Sequence, residues 1–439
     1  MTKPSTQDVR TAAANGPVPW VLSGRSAAGL RAQATRLLTR LESASARGAD
    51  DLTAVGRSLV AAGAAHEHRA VVLGRDRAEL LAGVRAVTED RPAPNVLGGR
   101  AARPGPSGGR PVFVFPGQGT QWAGMAVELL DTAPAFARSV ADCSRALSPY
   151  LAWSLEDVLR EVPGSPPLDR VDVVQPVLFS MMVSLARLWR SYGVEPGAVV
   201  GHSQGEIAAA HVAGALSLED AARIVALRSQ ALTKIRGRGE MLTVMAPEAK
   251  VRELLADWDG RLSVAAVNGP ATTTVSGDAA ASREFNAALR AAKMMRWQVP
   301  GVDFAAHSAH VEDLRETLLD LAAPTRPVRG DVPFYSTVTG GRVDTEGLNA
   351  AYWYRNLRQT VRFDEAVRAL LTDGHTIFVE CSAQPVLTVG MQDTVEELGG
   401  SAALMGTLRG DDGGMNRFLA ALAEAYAQGV AVDWTAVFA

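Results

Sequence analysis

Two β-branched residues lead into Gly-His-Ser-Gln-Gly and then into an alanine-rich segment at VVGHSQGEIAAAH, residues 199–211. A strand that turns so sharply into a helix needs Gly201 and Gly205 where backbones pass closely, and it thrusts Ser203 outward in a strained conformation. The amide after the serine then points at the same spot as the hydroxyl, with the positive end of a helix behind it. Such an elbow commits the chain to an α/β architecture and makes Ser203 a candidate nucleophile for acyl transfer or hydrolysis. The pattern alone also occurs in glycine-rich turns without catalysis, so the flanking strand and helix carry the assignment.

The rest of the chain is organised around that turn. Residues 1–17 read as a frayed leader without the apolar core of a signal peptide. Residues 18–109 alternate strand and helix patterns (VPWVLSG, AAGLRAQATRLLTRLESA, HRAVVLG, RAELLAGVRAVTED) and end in the Gly/Pro/Arg-rich stretch NVLGGRAARPGPSGGRP, read as a linker. This predicts a small α/β linker domain. Residues 110–240 and 302–408 read as an α/β body with a parallel sheet, opened by PVFVFPGQGTQW. Between them, residues 241–301 read as β-α-β-β-α-β, the ferredoxin-like order. Residues 409–439 supply an amphipathic helix and a short extended segment.

With 44 basic against 47 acidic residues, the chain has no global positive field to hold nucleic acid or an anionic membrane. The only cysteines, Cys143 and Cys381, lie far apart, so neither a disulfide framework nor a CxxC metal site is expected, and the chain reads as cytosolic. No apolar run approaches the roughly 18 residues of a membrane span. No metal, cofactor or phosphate loop is expected.

A serine nucleophile needs a base, and there are seven histidines. His202 adjoins Ser203 but faces elsewhere on the elbow. His307 follows VDFAA, read as a strand, where the insert rejoins the body; His310 is a rival, and a capping histidine is the plain alternative. Arg228, in ARIVALRSQAL, lies on a helix otherwise apolar toward the core. A buried arginine needs an anionic partner and its planar fork suits a carboxylate, although an ordinary interhelix salt bridge would also explain it. Gln118, in PGQG, offers a second backbone amide for an oxyanion.

These residues together resemble the acyltransferase domain of modular type I polyketide synthases, related to malonyl-CoA:acyl carrier protein transacylases. RVDVVQP (170–176), GHSQGE (201–206), LRSQAL (227–232), VNGP (267–270), YWYRNLRQTVRF (352–363) and GVAVDW (429–434) stand in the family's order. The resemblance implies an α/β-hydrolase-like body carrying the inserted ferredoxin-like subdomain, between a ketosynthase-acyltransferase linker domain and a post-acyltransferase linker. It implies a ping-pong mechanism in which Ser203 takes the acyl group from coenzyme A and passes it to the phosphopantetheine of an acyl carrier protein, with His307 as base and then acid. It places the oxyanion amides at Gln118 and Gln204, pairs a substrate carboxylate with Arg228, has Gln359 support the site and has Asn268 orient His307. The implied partners are an alkylmalonyl-CoA, the carrier protein and the ketosynthase domain of the same module, with the excised unit monomeric.

Where family members that take methylmalonyl units usually carry Tyr-Ala-Ser-His before the base, and malonyl types His-Ala-Phe-His, this chain has Phe304, Ala305, Ala306 and His307. The missing bulky Phe at the third position leaves room for an α-branch. Phe304, Ala306 and Met241 are therefore expected at the substrate pocket, and Gly301, an insertion in VPGVDF, is expected to shift the strand. Methylmalonyl is the favoured extender, with ethylmalonyl or a larger alkylmalonyl unit open. Two other readings compete: a serine hydrolase that edits acyl thioesters, and a catalytically silent docking scaffold. A Ser-His dyad, with backbone carbonyls orienting His307, separates the transferase from a hydrolase triad.

Overall fold

The structure is a computed structural model that describes residues 16–44, 51–63, 65–101, 108–258, 260–299 and 301–438. The leader read at 1–17 therefore falls outside the described residues except for its last two, and residues 102–107 of the Gly/Pro/Arg-rich stretch also lie outside them.

Fourteen strands build three sheets among the described residues. In chain order they are β1 (Val18–Gly24), β2 (His68–Gly74), β3 (Val96–Arg100), β4 (Val112–Phe115), β5 (Ala198–Gly201), β6 (Gly239–Val244) and β7 (Leu262–Gly269). There follow β8 (Thr272–Asp278), β9 (Arg296–Gln298), β10 (Phe334–Ser336), β11 (Gly341–Val343), β12 (Val361–Arg362), β13 (Ile377–Glu380) and β14 (Ala403–Gly406).

The first sheet, β1-β2-β3, is antiparallel. Its third strand is a correction to the sequence reading. Residues 96–100 are not linker: Val71 and Val72 of β2 need a partner on their free edge, and Leu97 and Val96 pair with them.

The body is a six-stranded sheet in the order β11-β10-β5-β4-β13-β14, parallel except for the edge strand β11. Its central strands β4 (VFVF) and β5 (AVVG) are buried at every position, as parallel strands covered on both faces must be. Phe113 and Phe115 are fully buried, and each contributes about 1.5–3 kcal/mol of transfer free energy. Helix Val171–Ser191 is long and apolar enough to cross a membrane, contrary to the sequence expectation. Of its most apolar 18-residue stretch 89% is buried inside the molecule, so its apolar surface faces the core of the body.

The third sheet has the order β12-β7-β8-β6-β9. Strands β6 to β9, with helices Glu248–Leu254 and Ala279–Ala291, give the ferredoxin-like arrangement, and β12 adds a fifth strand from beyond the 241–301 segment. One face of this sheet packs Leu242, Val244, Val264 and Val275 against Phe285 and Leu289 of helix Ala279–Ala291. The opposite face, with Met241 and Thr243 on β6 and Thr272 and Thr274 on β8, is turned to a cleft against the body.

Two further expectations are corrected. VDFAA (302–306) is not a strand but an irregular run leading to the 3-10 helix Ala309–Leu314. Gly301, at φ +69°, sits in a turn that only glycine adopts at low cost, so the chain reverses there instead of extending. At the C-terminus, the segment after helix Met415–Gln428 ends in the 3-10 helix Trp434–Phe438, not an extended segment, because Trp434 is buried against Tyr426.

Candidate active site

The elbow has the geometry its sequence requires. Ser203 has φ +54°, and a methyl group on Gly205 would lie 2.1 Å from the Phe115 carbonyl oxygen, while one on Gly201 would lie 2.2 Å from the Glu206 nitrogen. Only glycine lets β4, β5 and helix Gly205–Val212 approach so closely.

Ser203 Oγ is 2.8 Å from His307 Nε2, and the other ring nitrogen, Nδ1, lies 2.8 Å from the backbone oxygen of Gln359. A carbonyl only accepts, so Nδ1 carries the proton and Nε2 presents its lone pair to the serine hydroxyl. The orienting group is a backbone carbonyl, and no carboxylate touches the ring among the described residues. His307 is itself at φ +59°, held by its own N–H donating to the Leu357 carbonyl at 2.9 Å. Burial, followed by the positive charge of Arg228, pushes its pKa down to about 3, so the imidazole is neutral at ordinary pH. His310 has no part in this contact, and its backbone N–H is held by Ser308 Oγ at 3.2 Å.

Arg228, on helix Leu218–Leu232, is only 2% exposed. Its Nη1 donates to Asn356 Oδ1 at 2.7 Å, its Nη2 reaches Ser203 Oγ at 3.4 Å, and its buried Nε has no partner. Burial draws its pKa down to about 10, opposed by the charge of Glu206, and it remains protonated. An interhelix salt bridge is absent: no carboxylate lies within ion-pair distance of it among the described residues.

A cleft of about 400 Å³ joins these groups. Gln118, Gln204, Met241, Phe304, Ala306, His202 and Asn268 line it with Ser203, Arg228 and His307. The backbone N–H groups of Gln118 and Gln204 donate to no acceptor among the described residues. A methyl group on Gly117 would be 3.9 Å from Ser203 Cβ, so the Gln118 loop abuts the nucleophile. The Gln118 side chain reaches the Gly301 carbonyl at 2.9 Å and ties that loop to the end of the insert.

Asn268 does not orient His307. Both imidazole nitrogens of His307 are already occupied, and Asn268 Oδ1 instead meets His202 Nε2 at 2.8 Å, beside the elbow. Gln359 meets the base through its main chain and is not among the cleft-lining residues.

The sequence reading passed over a buried polar network behind the nucleophile. Glu206, fully buried, accepts from the Thr337 N–H, from Thr337 Oγ1 at 2.9 Å, from Tyr352 Oη at 2.7 Å and from Asn356 Nδ2 at 2.8 Å. Burial pushes its carboxyl pKa up, against the pull of those donors. The signal was present: an acidic residue in the first turn of an otherwise apolar helix, GEIAAAH, has nowhere to go but a polar cage.

Residues 112–432 match the family described as "Acyl transferase domain". The chain is 55% identical over 421 residues, 96% of its length, to "Polyketide synthase GfsA" of Streptomyces halstedii, and 53% identical over 424 residues, again 96%, to "Spectinabilin polyketide synthase system protein NorA" of Streptomyces orinoci. It spans only 6% and 22% of those proteins' lengths. Among solved structures, it matches the acyltransferase domain from module 8 of the salinomycin polyketide synthase with a TM-score of 0.91 at 50% identity, covering 96% of this chain and 98% of that one.

Proposed function

The chain belongs to the acyl transferase domain family, as an acyltransferase of modular polyketide synthase type, and from that premise we propose that it loads an α-substituted malonyl unit from coenzyme A onto Ser203 and passes it to the phosphopantetheine thiol of an acyl carrier protein. The observation that carries this reading is the convergence of the Ser203–His307 pair and the half-satisfied guanidinium of Arg228 in one cleft.

In the first half-reaction, His307 Nε2 takes the Ser203 proton as Oγ attacks the thioester carbon. The oxyanion that forms is met by the unpaired amides of Gln118 and Gln204. Collapse breaks the C–S bond, and the sulfur takes the proton from His307, so coenzyme A leaves as the thiol and His307 is neutral again. In the second half, His307 takes the proton of the pantetheine thiol, the thiolate attacks the acyl-serine, and Ser203 Oγ leaves as the hydroxyl on reprotonation. The Gln359 carbonyl holds the tautomer on which both halves depend.

Arg228 supplies the complement to the unit's free carboxylate through Nη2, held in the free protein only by its 3.4 Å contact with Ser203 Oγ, with the buried, unpartnered Nε beside it. Phe304, Ala306 and Met241 supply the pocket for the α-substituent. Ala306, small at this position, favours a methyl branch, and the apolar wall continued by Val299 and Val302 supports an ethyl or longer chain as the second reading. The ketosynthase domain of the same module is the proposed downstream partner.

The competing hydrolase reading predicts that water intercepts the acyl-serine. With methylmalonyl-CoA and a phosphopantetheinylated carrier protein, the carrier is expected to gain the methylmalonyl mass faster than free acid appears, and the gain is expected to vanish for Ser203→Ala. Free acid forming while the carrier stays unmodified would reverse the assignment.

A further inference from the structure

Arg228 is surrounded in a way that its own charge does not explain. A buried guanidinium ordinarily meets a carboxylate directly, because an unpaired buried charge is expensive. A carboxylate is close at hand in Glu206, fully buried, yet Glu206 does not touch Arg228. Between them stands Asn356, at the last turn of helix Ala350–Arg358 and 2% exposed.

The orientation of the Asn356 amide is fixed by its neighbours. Arg228 Nη1 only donates, so Oδ1 faces it at 2.7 Å. The Ser203 carbonyl and Glu206 Oε2 only accept from it, so Nδ2 faces them at 3.1 and 2.8 Å. Every polar atom of the amide is used.

We propose that Asn356 is a neutral spacer: it satisfies one nitrogen of the Arg228 fork and hands the adjacent Glu206 to the protein, so that no internal carboxylate competes with the substrate's for the Nε and Nη2 edge. The guanidinium then stays charged, oriented and deliberately incomplete. An incoming carboxylated acyl group meets Nη2, held only by its 3.4 Å contact with Ser203 Oγ, and the unpartnered Nε without displacing a resident anion, whereas an uncarboxylated acyl group leaves Nε unsatisfied. The same amide also holds the Ser203 carbonyl, so the recognition of the carboxylate and the position of the nucleophile share one anchor. Asn356 is a positioning residue, acting through Arg228 and Ser203.

This inference rests on Arg228 receiving the substrate carboxylate, and the test separates the two. Acyl-enzyme formation is measured as kcat/KM for methylmalonyl-CoA and for propionyl-CoA, and their ratio is the readout, because a merely structural defect lowers both alike. Asn356→Asp puts a carboxylate on the guanidinium and is expected to lower the ratio on the order of 100-fold. Since that variant places two carboxylates side by side and can fail to fold, the double change Asn356→Asp with Glu206→Gln keeps one buried carboxylate and is expected to show the same loss of ratio. An unchanged ratio in the double variant overturns the spacer role. Arg228→Ala serves as the reference: if it lowers both substrates equally, the reading of Arg228 itself fails, and if it alone is selective, only the role of Asn356 fails.

Discussion

At the scale of single residues, the site is two unlike nitrogen groups sharing one serine. Arg228 contributes a positive charge within reach of Ser203 Oγ, and that charge, with burial, keeps His307 neutral. The consequence is a pH profile unlike that of a solvent-exposed histidine. A base with the ordinary pKa near 6.5 would lose roughly 30-fold of its neutral form between pH 7.5 and pH 5. With its pKa depressed to about 3, His307 stays neutral throughout that interval, and kcat/KM for Ser203 acylation is expected to change less than about threefold. Stopped-flow acylation across that range checks it, and a tenfold or greater fall would place the base in a wetter setting. Ser203 and Arg228 stand out in the sequence because the elbow motif is local and an arginine is out of place in an apolar helix, whereas residue spacing left His307 with His310 as a rival and only the family resemblance separated them. Asn356 and Glu206 were not weighed, although both stand inside quoted motifs. The first-turn position of Glu206 in GEIAAAH signals a buried polar cage, but that Asn356 is its partner, 150 residues along the chain, is encoded by no local pattern.

At the scale of elements, the elbow is set by packing more than by propensity. Strand β4 runs alongside β5 and its Phe115 carbonyl points at Gly205, so a Cβ there meets main chain that cannot move aside. Gly205→Ala is expected to cost about 1–3 kcal/mol or more in urea unfolding with an unchanged m-value, and to slow acylation by displacing Ser203. Wild-type stability in that variant would mean that the strand-to-helix approach is looser than described. The elements themselves were largely legible, since strand and helix periods differ and the β-α-β-β-α-β order of the insert has few realisations. The failures have physical causes. Strand β3 was hidden in a Gly-rich run and forms only because β2 offers it an edge. VDFAA looked like a strand by composition, but the positive φ of Gly301 and His307 at its two ends bends it away from any sheet. Asn268 was assigned to the wrong histidine because sequence gives proximity along the chain and not which ring nitrogens are already filled.

At the scale of the whole molecule, the flanking segments close on each other. Helix Met415–Gln428 packs on β2 and β3, where Arg69 Nη1 donates to the carbonyls of Tyr426 and Val430 at 2.9 and 3.2 Å and the guanidinium lies 4.7 Å over the Tyr426 ring. Arg57 Nη2 reaches the Phe438 carbonyl at 3.0 Å. First and last elements thus form one face of the body, while the ferredoxin-like sheet turns its uncovered face to the cleft. The arrangement leaves the nucleophile in a chamber walled by two subdomains, one presenting the elbow and the arginine, the other the threonine-rich face of the ferredoxin-like sheet with Met241. The proposed function requires this chamber to select a carboxylated, α-branched acyl group and bond it to Ser203. Intact-protein mass spectrometry tests it most directly, after incubation with an equimolar mixture of malonyl-, methylmalonyl-, ethylmalonyl-, butylmalonyl- and propionyl-CoA beside a Ser203→Ala control. The expected result is a dominant methylmalonyl adduct, absent in the control, with propionyl adduct at trace level. Propionyl adduct equal to the carboxylated ones would rule out carboxylate selection by Arg228, and any adduct that survives Ser203→Ala would rule out Ser203 as the acylated residue.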